Sequence, residues 1–366
     1  MAERQYWVGF NLVPGVGPAR VRQLLERFGA LSKAWDAPAS DLAGAGLDRR
    51  TLNNFIEARH RLDLGAELDR LDKLGIAVLT WEDDIYPPLL AKLREIDQAP
   101  PVLYMRGTLV EADEWALAVV GTRSISPYGR QVTRQLVADL ASSGLTIVSG
   151  LARGVDAEAH RAALDTGGRT IAVLGCGLDT IYPPEHQQLA AQIAQHGALI
   201  SPFPLETPPE RKNFAPRNGV LSGLARGVLV TEAGLKSGAM LTAGAALEQG
   251  REVFAVPGNI TAPGSSGTNR LIQDGAHPVL TAQDILEILN VEHIMQYSEA
   301  RASLPHLGEA EQRVLDELSA EPLHIDELSR QCGLAVAQVS SALTMLELKG
   351  MVYQVGPLTY VRALSR

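Results

Sequence analysis

Six short apolar runs recur between residues 116 and 258, reading ALAVVG, LTIVSG, TIAVLG, ALISPF, GVLVTEAG and EVFAVPG, and a last short run, HPVL, follows. They are made of Val, Ile, Leu and Ala without polar alternation, so each suits a strand covered on both faces. A one-sided antiparallel sheet would alternate; these runs point to a parallel sheet with crossover helices, an α/β architecture. Several runs end in Gly or Ser just where a helical stretch follows. The loops at the carboxyl ends of the strands therefore allow close backbone approach, and a ligand crevice is expected along that edge.

The flanks differ from this core. Residues 1–84 read as a helical domain, with apolar positions at helical spacing in VRQLLERFGAL and in the stretch from Arg49 to Gly75, and no strand pattern before IAVLTW at Ile76. Residues 85–290 form the α/β domain, and 291–304 read as a linker. Residues 305–366 run helix, short strand, helix, Gly turn, helix and two strands about Val355-Gly356-Pro357, a winged-helix order. At 366 residues, two or three domains are expected, each with its own core.

The formal charge of −9 excludes a uniform electrostatic coat for a polyanion and leaves room only for a local basic site. Cys176 and Cys332 lie far apart in no ligand spacing, so neither a disulfide framework nor a metal site is expected. There is no basic-then-apolar leader and no apolar run approaching the roughly 18 residues of a membrane span, so the expected location is cytoplasmic, without membrane contact.

Five segments carry candidate chemistry. In LVPGVGPARV, Gly15 and Gly17 flank a tight turn, with Pro18 at the next helix start. This resembles a helix-hairpin-helix, whose backbone amides hold a phosphate of duplex DNA; the alternative is a plain glycine turn. In GTRSISPYGR, Gly121, Thr122 and Arg123 place an amide, a hydroxyl and a guanidinium beside a helix start, an anion site unlike either GxGxxG or GxxxxGK[ST]. In SGLARGVDAEAH, Gly150, Ala152, Arg153 and Gly154 shape a strand-to-helix loop. Asp156 and His160 on the following helix read as a structural cap and pair more readily than as an acid–base couple, since no nucleophile stands at a recognisable spacing. In ERKNFAPRN, Arg211, Lys212 and Arg217 surround Phe214, the basic and aromatic mixture that grips a single strand. In TEAGLKSGAMLTA, Lys236, Ser237, Gly238 and Thr242 would hold a further phosphate.

In order along residues 118–276, these motifs resemble the DprA/Smf family of DNA-processing proteins: GTR with S-x-YG, SG-x-A-x-G-V-D-x-x-AH, TIAVLG-x-G, F-x-x-RN, SG-x-x-TA-x-A and AVPG with GTN-x-LI-x-x-GA. The resemblance implies a Rossmann-like, mostly parallel domain that binds single-stranded DNA without cleaving it, without a cofactor, as a homodimer. It also implies loading of the recombinase RecA during natural transformation and recombination. Carried over by motif, its DNA-binding residues are Gly121, Thr122 and Arg123; Gly150, Ala152 and Gly154; Lys212, Phe214, Arg217 and Asn218; and Ser237, Gly238 and Thr242. Arg153, Arg211 and Lys236 join them as neighbouring cations. The chain departs from the family at Gly219, where an Arg is common, and at Ser201-Pro202-Phe203-Pro204, where Ser-Glu-x-Pro is common. These changes remove one cation and alter the pocket rim.

The presumed recognition helix of the winged helix, residues 335–348, has no Lys or Arg, and residues 305–366 carry 5 basic against 8 acidic residues. A protein contact or a weak duplex contact is favoured there over sequence-specific reading. An enzymatic alternative is a nucleotide N-glycosidase of the lysine-decarboxylase-like fold, suggested by sheet order and by Thr231-Glu232-Ala233-Gly234, although the PGGxGTxxE-type loop is missing. A duplex-binding regulator is a third class, disfavoured by charge.

Overall fold

A computed structural model describes residues 3–290, 308–319, 322–348, 351–356 and 358–362. It divides into two units, residues 1–289 and 290–366. The expected linker at 291–304 lies outside the described residues.

The first unit opens with helices α1 (Arg4–Asn11), α2 (Pro18–Phe28), α3 (Leu31–Asp36), α4 (Ala39–Gly44), α5 (Arg49–Arg61) and α6 (Leu64–Lys73). Their amphipathic faces bury Trp7, Phe10, Trp35 and Phe55, whose rings pack edge to face or stacked at centroid spacings of 5.1–5.2 Å for the Phe10, Trp35 and Phe55 trio. This cluster is continuous with Leu151, Leu174, Leu189 and Leu199 of the α/β region. Strand β1 (Ala77–Thr80), within the stretch read as helical up to residue 84, pairs antiparallel with β2 (Val102–Gly107). Between them lies the short helix α7 (Pro88–Ala91).

The apolar runs become strands β3 (Ala116–Val120), β4 (Thr146–Ser149), β5 (Thr170–Val173), β6 (Gly197–Ser201), β7 (Gly227–Val230), β8 (Glu252–Ala255) and β9 (His277–Pro278). Every residue of β3, β4, β5, β6 and β7 is buried, as unbroken apolar runs require. Crossovers between them are α8 (Pro127–Ser142), α9 (Val155–Asp165), α10 (Gln187–His196), α11 (Phe214–Gly223), α12 (Gly238–Glu248) and α13 (Ser266–Gln273), with α14 (Ala282–Ile288) after β9. The sheet order is β1-β2-β6-β5-β4-β3-β7-β8-β9, parallel from β6 to β9 and antiparallel only where β2 meets β1 and β6. The mostly parallel α/β sheet expected from the sequence is the one observed.

Chain order reverses between β3 and β7. From β3 the chain winds outward through β4, β5 and β6, then returns to lay β7 on the other side of β3. In such sheets the crevice beyond the carboxyl ends of the strands at this switch point is open, because the flanking loops run to opposite faces.

The second unit contains α15 (Glu309–Glu317), α16 (Ile325–Cys332) and α17 (Val336–Leu348), with strands β10 (Leu323–His324), β11 (Val352–Gly356) and β12 (Thr359–Arg362) in the order β10-β12-β11. Val314, Leu328, Val339, Leu343, Leu346 and Val352 form its core. Helix, strand, two helices and a two-stranded wing follow the sequence expectation.

Candidate nucleic-acid interface

Beyond the carboxyl ends of β3 and β7 opens a cleft of about 970 Å³. Gly121, Thr122, Arg123, Ala152, Arg211, Phe214, Arg217, Asn218, Lys236, Ser237, Gly238 and Thr242 all line it, drawn from four segments spread over 122 residues of sequence. Gly150 lines a narrow extension between Arg123 and Arg217, together with Gly175 and Cys176. Arg153, Gly154 and Lys212 are not in the lining.

The loop after β3 is held from three sides. The Thr122 amide donates to the Glu232 carbonyl at 2.7 Å, and the Val155 amide at the start of α9 donates to the Thr122 carbonyl at 3.1 Å. Gly154, at φ +78°, faces the same backbone: a Cβ there would stand 2.2 Å from the Thr122 carbonyl oxygen. Gly154 thus acts by letting α9 dock against the Thr122–Arg123 backbone, leaving the Arg123 side chain exposed. Arg153 turns away from the cleft to an exposed ion pair with Glu185, N–O 2.5 Å.

Two helix starts were expected to contribute dipoles and free amides, and they differ. At α8 the Ser126 hydroxyl accepts from the Gly129 amide at 3.0 Å, and the Ser126 amide donates to the buried Glu232 carboxylate at 2.9 Å. The chain's own anion therefore occupies the α8 N-terminus, and that end is closed to a phosphate. At α12 the Ser237 hydroxyl accepts from the Ala239 amide at 3.3 Å, and Gly238, Ala239 and Met240 line the cleft. The positive end of the α12 dipole faces the open space. Nothing in the sequence marks Glu232 for this role, since its partner Ser126 lies 106 positions away.

Arg217 also differs from the sequence expectation of a phosphate-gripping cation. It is 5% exposed, and its Nη1 donates to the carbonyls of Gly150 at 2.7 Å and Val173 at 2.8 Å, at the ends of β4 and β5. Burial pulls its pKa down, offset in part by the Asp156 carboxylate. Gly150 is needed because a Cβ there would lie 1.9 Å from Arg217 Nη1. Two guanidinium groups approach the Phe214 ring, Arg123 at 5.2 Å and Arg217 at 5.6 Å from its centroid. Arg123 and Arg211 are exposed on the lining, as is Lys236. Lys212 points outward and pairs with Glu210 at 2.6 Å.

Asp156 and His160 do not form a couple. The Asp156 carboxylate accepts from the Ala152 amide at 3.3 Å and closes its own loop, and burial raises its pKa. His160 is fully buried, with Nδ1 2.7 Å from the Thr170 hydroxyl, and burial pushes its pKa down to about 3. Burial also pushes the Cys176 thiol up to about 11. Tyr182, Pro209 and Leu235 are further wall residues, and Tyr182 and Pro209 stand in no segment the sequence singled out for its chemistry.

The turn between α1 and α2 is glycine-shaped. Gly15 adopts φ +97°, Gly17 caps α2 in extended conformation, and Pro18 is the first helical residue. Arg20 folds back on the Gly15 carbonyl and on Asp48, so the nearest cation is neutralised within the domain.

A family profile described as DNA recombination-mediator protein A matches residues 77–290, opening at the first residue of β1, and a DprA winged helix domain profile matches residues 298–356. The chain belongs to the DprA/Smf family. Protein Smf of Synechocystis sp. is 34% identical to it over 99% of both chains. The X-ray structure of DNA processing protein A from Streptococcus pneumoniae aligns at a TM-score of 0.68 with 34% identity, covering 77% of this chain and 97% of that one. The structure of DNA processing protein A from Helicobacter pylori, described for its single-stranded DNA binding mode, aligns at 0.53 with 32% identity, covering 59% and 96%.

Among the described residues, no helix is long and apolar enough to cross a membrane, and no group of three or more His, Cys, Asp or Glu could hold a metal ion.

Proposed function

We propose that the chain binds single-stranded DNA in the switch-point cleft without cleaving it, and that as a homodimer it passes the coated strand to RecA in transformation and recombination. The observation that carries the reading is the convergence, in one open cleft, of the exposed Arg123, Arg211 and Lys236, the α12 N-terminus and the Phe214 ring. Phosphates would lie against the cations and the α12 amides, and a base would stack over the Arg123–Phe214 layer. Polar groups at which hydrolysis could be imagined are committed elsewhere: Ser237 caps α12, Asp156 holds the Ala152 amide, and Glu232 holds the Ser126 amide. The single-strand binding described for the Helicobacter pylori relative agrees with this reading. The hairpin at Gly15 and Gly17 would add a duplex contact, and the winged helix, whose α17 has no Lys or Arg, would contact protein.

A gel-shift comparison of single- and double-stranded oligonucleotides at two salt concentrations tests it. Salt-sensitive single-strand binding that Arg123→Ala weakens for every sequence is expected; equal binding by wild type and Arg123→Ala would refute the cleft assignment. Sedimentation of the free chain and RecA filament assembly on coated strands test the homodimer and the loading step.

A further inference from the structure

At the opposite edge of the sheet from the DNA cleft lies a second cavity, of about 260 Å³. Leu109–Glu114 precede β3, Ile171 is the second residue of β5, and Leu224 immediately follows α11 and precedes β7, so the cavity sits at the amino ends of the parallel strands. The two openings are separated by the length of a four- or five-residue strand, about 15 Å. Ile85, Pro87, Pro88, Leu89, Leu109 and Val110 make its apolar wall. Two of its apolar lining residues stand open to solvent, Ile85 at 60% and Val110 at 44% exposed.

The rim is charged with one sign. Asp84, Glu111, Asp113 and Glu114 line the cavity, and no Lys or Arg does. Asp113 is held by a bidentate pair with Arg169, at 2.9 and 2.8 Å, and by the Val110 amide and the Thr146 hydroxyl, so it forms part of the wall. Arg226 stands near Glu114, donating to its carbonyl while stacked on Trp115. Three arginines stand behind the four carboxylates, Arg169, Arg226 and Arg251, whose Nη2 donates to the Leu89 carbonyl at 2.8 Å, and the negative charge at the mouth is carried by the exposed Asp84 and Glu111. The walls are pre-organised. The Asp83 carboxylate accepts from the Thr80 amide at 2.7 Å, the buried Tyr86 hydroxyl donates to the Pro100 carbonyl at 2.7 Å, and two prolines follow. A ligand would therefore bind without ordering a loop.

We propose that this groove docks a short segment of a partner protein in which a bulky apolar side chain is flanked by Lys or Arg. The apolar anchor enters between Ile85, Leu109 and Val110, and the flanking cations meet Asp84, Glu111 and Glu114. A nucleic acid is repelled by the same rim, so partner and DNA occupy opposite ends of the sheet and bind together.

The test uses the full chain and a panel of fluorescein-labelled octapeptides, each with a central Leu-Phe, Trp-Leu or Ile-Leu pair between Arg and Lys flanks. Matched peptides with Glu flanks are the controls. Anisotropy should show salt-sensitive binding of at least one basic-flanked peptide, lost by about tenfold or more in the triple variant Asp84→Asn, Glu111→Gln, Glu114→Gln and in Ile85→Ser. Both variants alter exposed or rim positions, and both should retain single-strand DNA binding, which also shows that they fold. A peptide bound in the groove should not be displaced by oligo-dT. The proposal is overturned if no basic-flanked peptide binds, if Glu-flanked peptides bind equally, or if the triple variant binds as wild type does. Peptide affinity that weakens at higher protein concentration, with a matching shift in sedimentation, would assign the groove to a second copy of the chain and overturn it equally.

Discussion

Replacing Arg217 by Met separates the structural role of this buried cation from the DNA-binding role proposed for the exposed Arg123. The substitution keeps an apolar stem of similar reach and removes a guanidinium whose Nη1 holds two carbonyls, at 2.7 and 2.8 Å, in a site 5% exposed. Each buried carbonyl left without a donor costs about 1–3 kcal/mol. Asp156, already raised in pKa by burial, loses the cation that opposes the shift. Breaking such a buried arrangement costs about 3–5 kcal/mol in total, a large part of a typical domain's stability of roughly 5–15 kcal/mol. Urea unfolding followed by tryptophan fluorescence reads this unit alone, because all 4 tryptophans, Trp7, Trp35, Trp81 and Trp115, lie within it. Arg123→Ala, at an exposed side chain, should leave the same transition in place while lowering the salt slope of oligo-dT binding by about 0.7. A structural role for Arg217 is refuted if Arg217→Met unfolds within about 1 kcal/mol of wild type and instead shows the reduced salt slope.

Further outcomes follow from the same contacts. Gly154→Ala should weaken single-strand binding although Gly154 lies outside the cleft, since its Cβ would press on the Thr122 carbonyl at 2.2 Å and displace Arg123; unchanged affinity with an unchanged melting temperature would contradict this. Stability should fall on acidification, because the buried His160 is held neutral with its pKa near 3. Its unfolded-state pKa is about 6.5, so the neutral-ring stabilisation is complete above that value and declines as pH drops towards 3, by about 1.4 kcal/mol per pH unit. Urea titrations at pH 7, 6 and 5 check the sign, and a His160→Gln chain should show a shallower decline. Gly17→Asp, at a position with open space around it, should lower duplex affinity and leave single-strand affinity intact; equal loss of both would remove the hairpin from the duplex contact.

What the sequence made legible was whatever depends on local pattern. Unbroken Val, Ile, Leu and Ala runs marked β3 to β9 because strands covered on both faces need no alternation, and the glycines after them marked the crevice edge. Twelve of the sixteen positions expected to bind DNA in the α/β domain line the switch-point cleft. Strand β2, in VLYMRG, went unmarked; it lies between two antiparallel neighbours, and its partners are distant in sequence. The roles of the charged residues were the less legible part, since charge alone does not say where a side chain ends. Arg217 looks like Arg123 in a sequence, yet one is sealed against the ends of β4 and β5 and the other lies open. Lys212 and Arg153 are satisfied by Glu210 and Glu185, and the α8 start is filled by Glu232 from the end of the neighbouring strand β7. The −9 charge likewise excludes a uniform coat without excluding a local site, since residues 201–280 carry 7 basic against 6 acidic residues.

On the proposed function, a single strand lies over Phe214 in the switch-point cleft. Photocrosslinking of a 5-iodouracil oligonucleotide to the full chain, followed by tryptic mapping, tests it most directly. Crosslinks are expected on peptide 213–217, which carries Phe214, and should disappear in Arg123→Ala. Crosslinks confined to residues 1–28 or to α17, with peptide 213–217 unmodified, would contradict it.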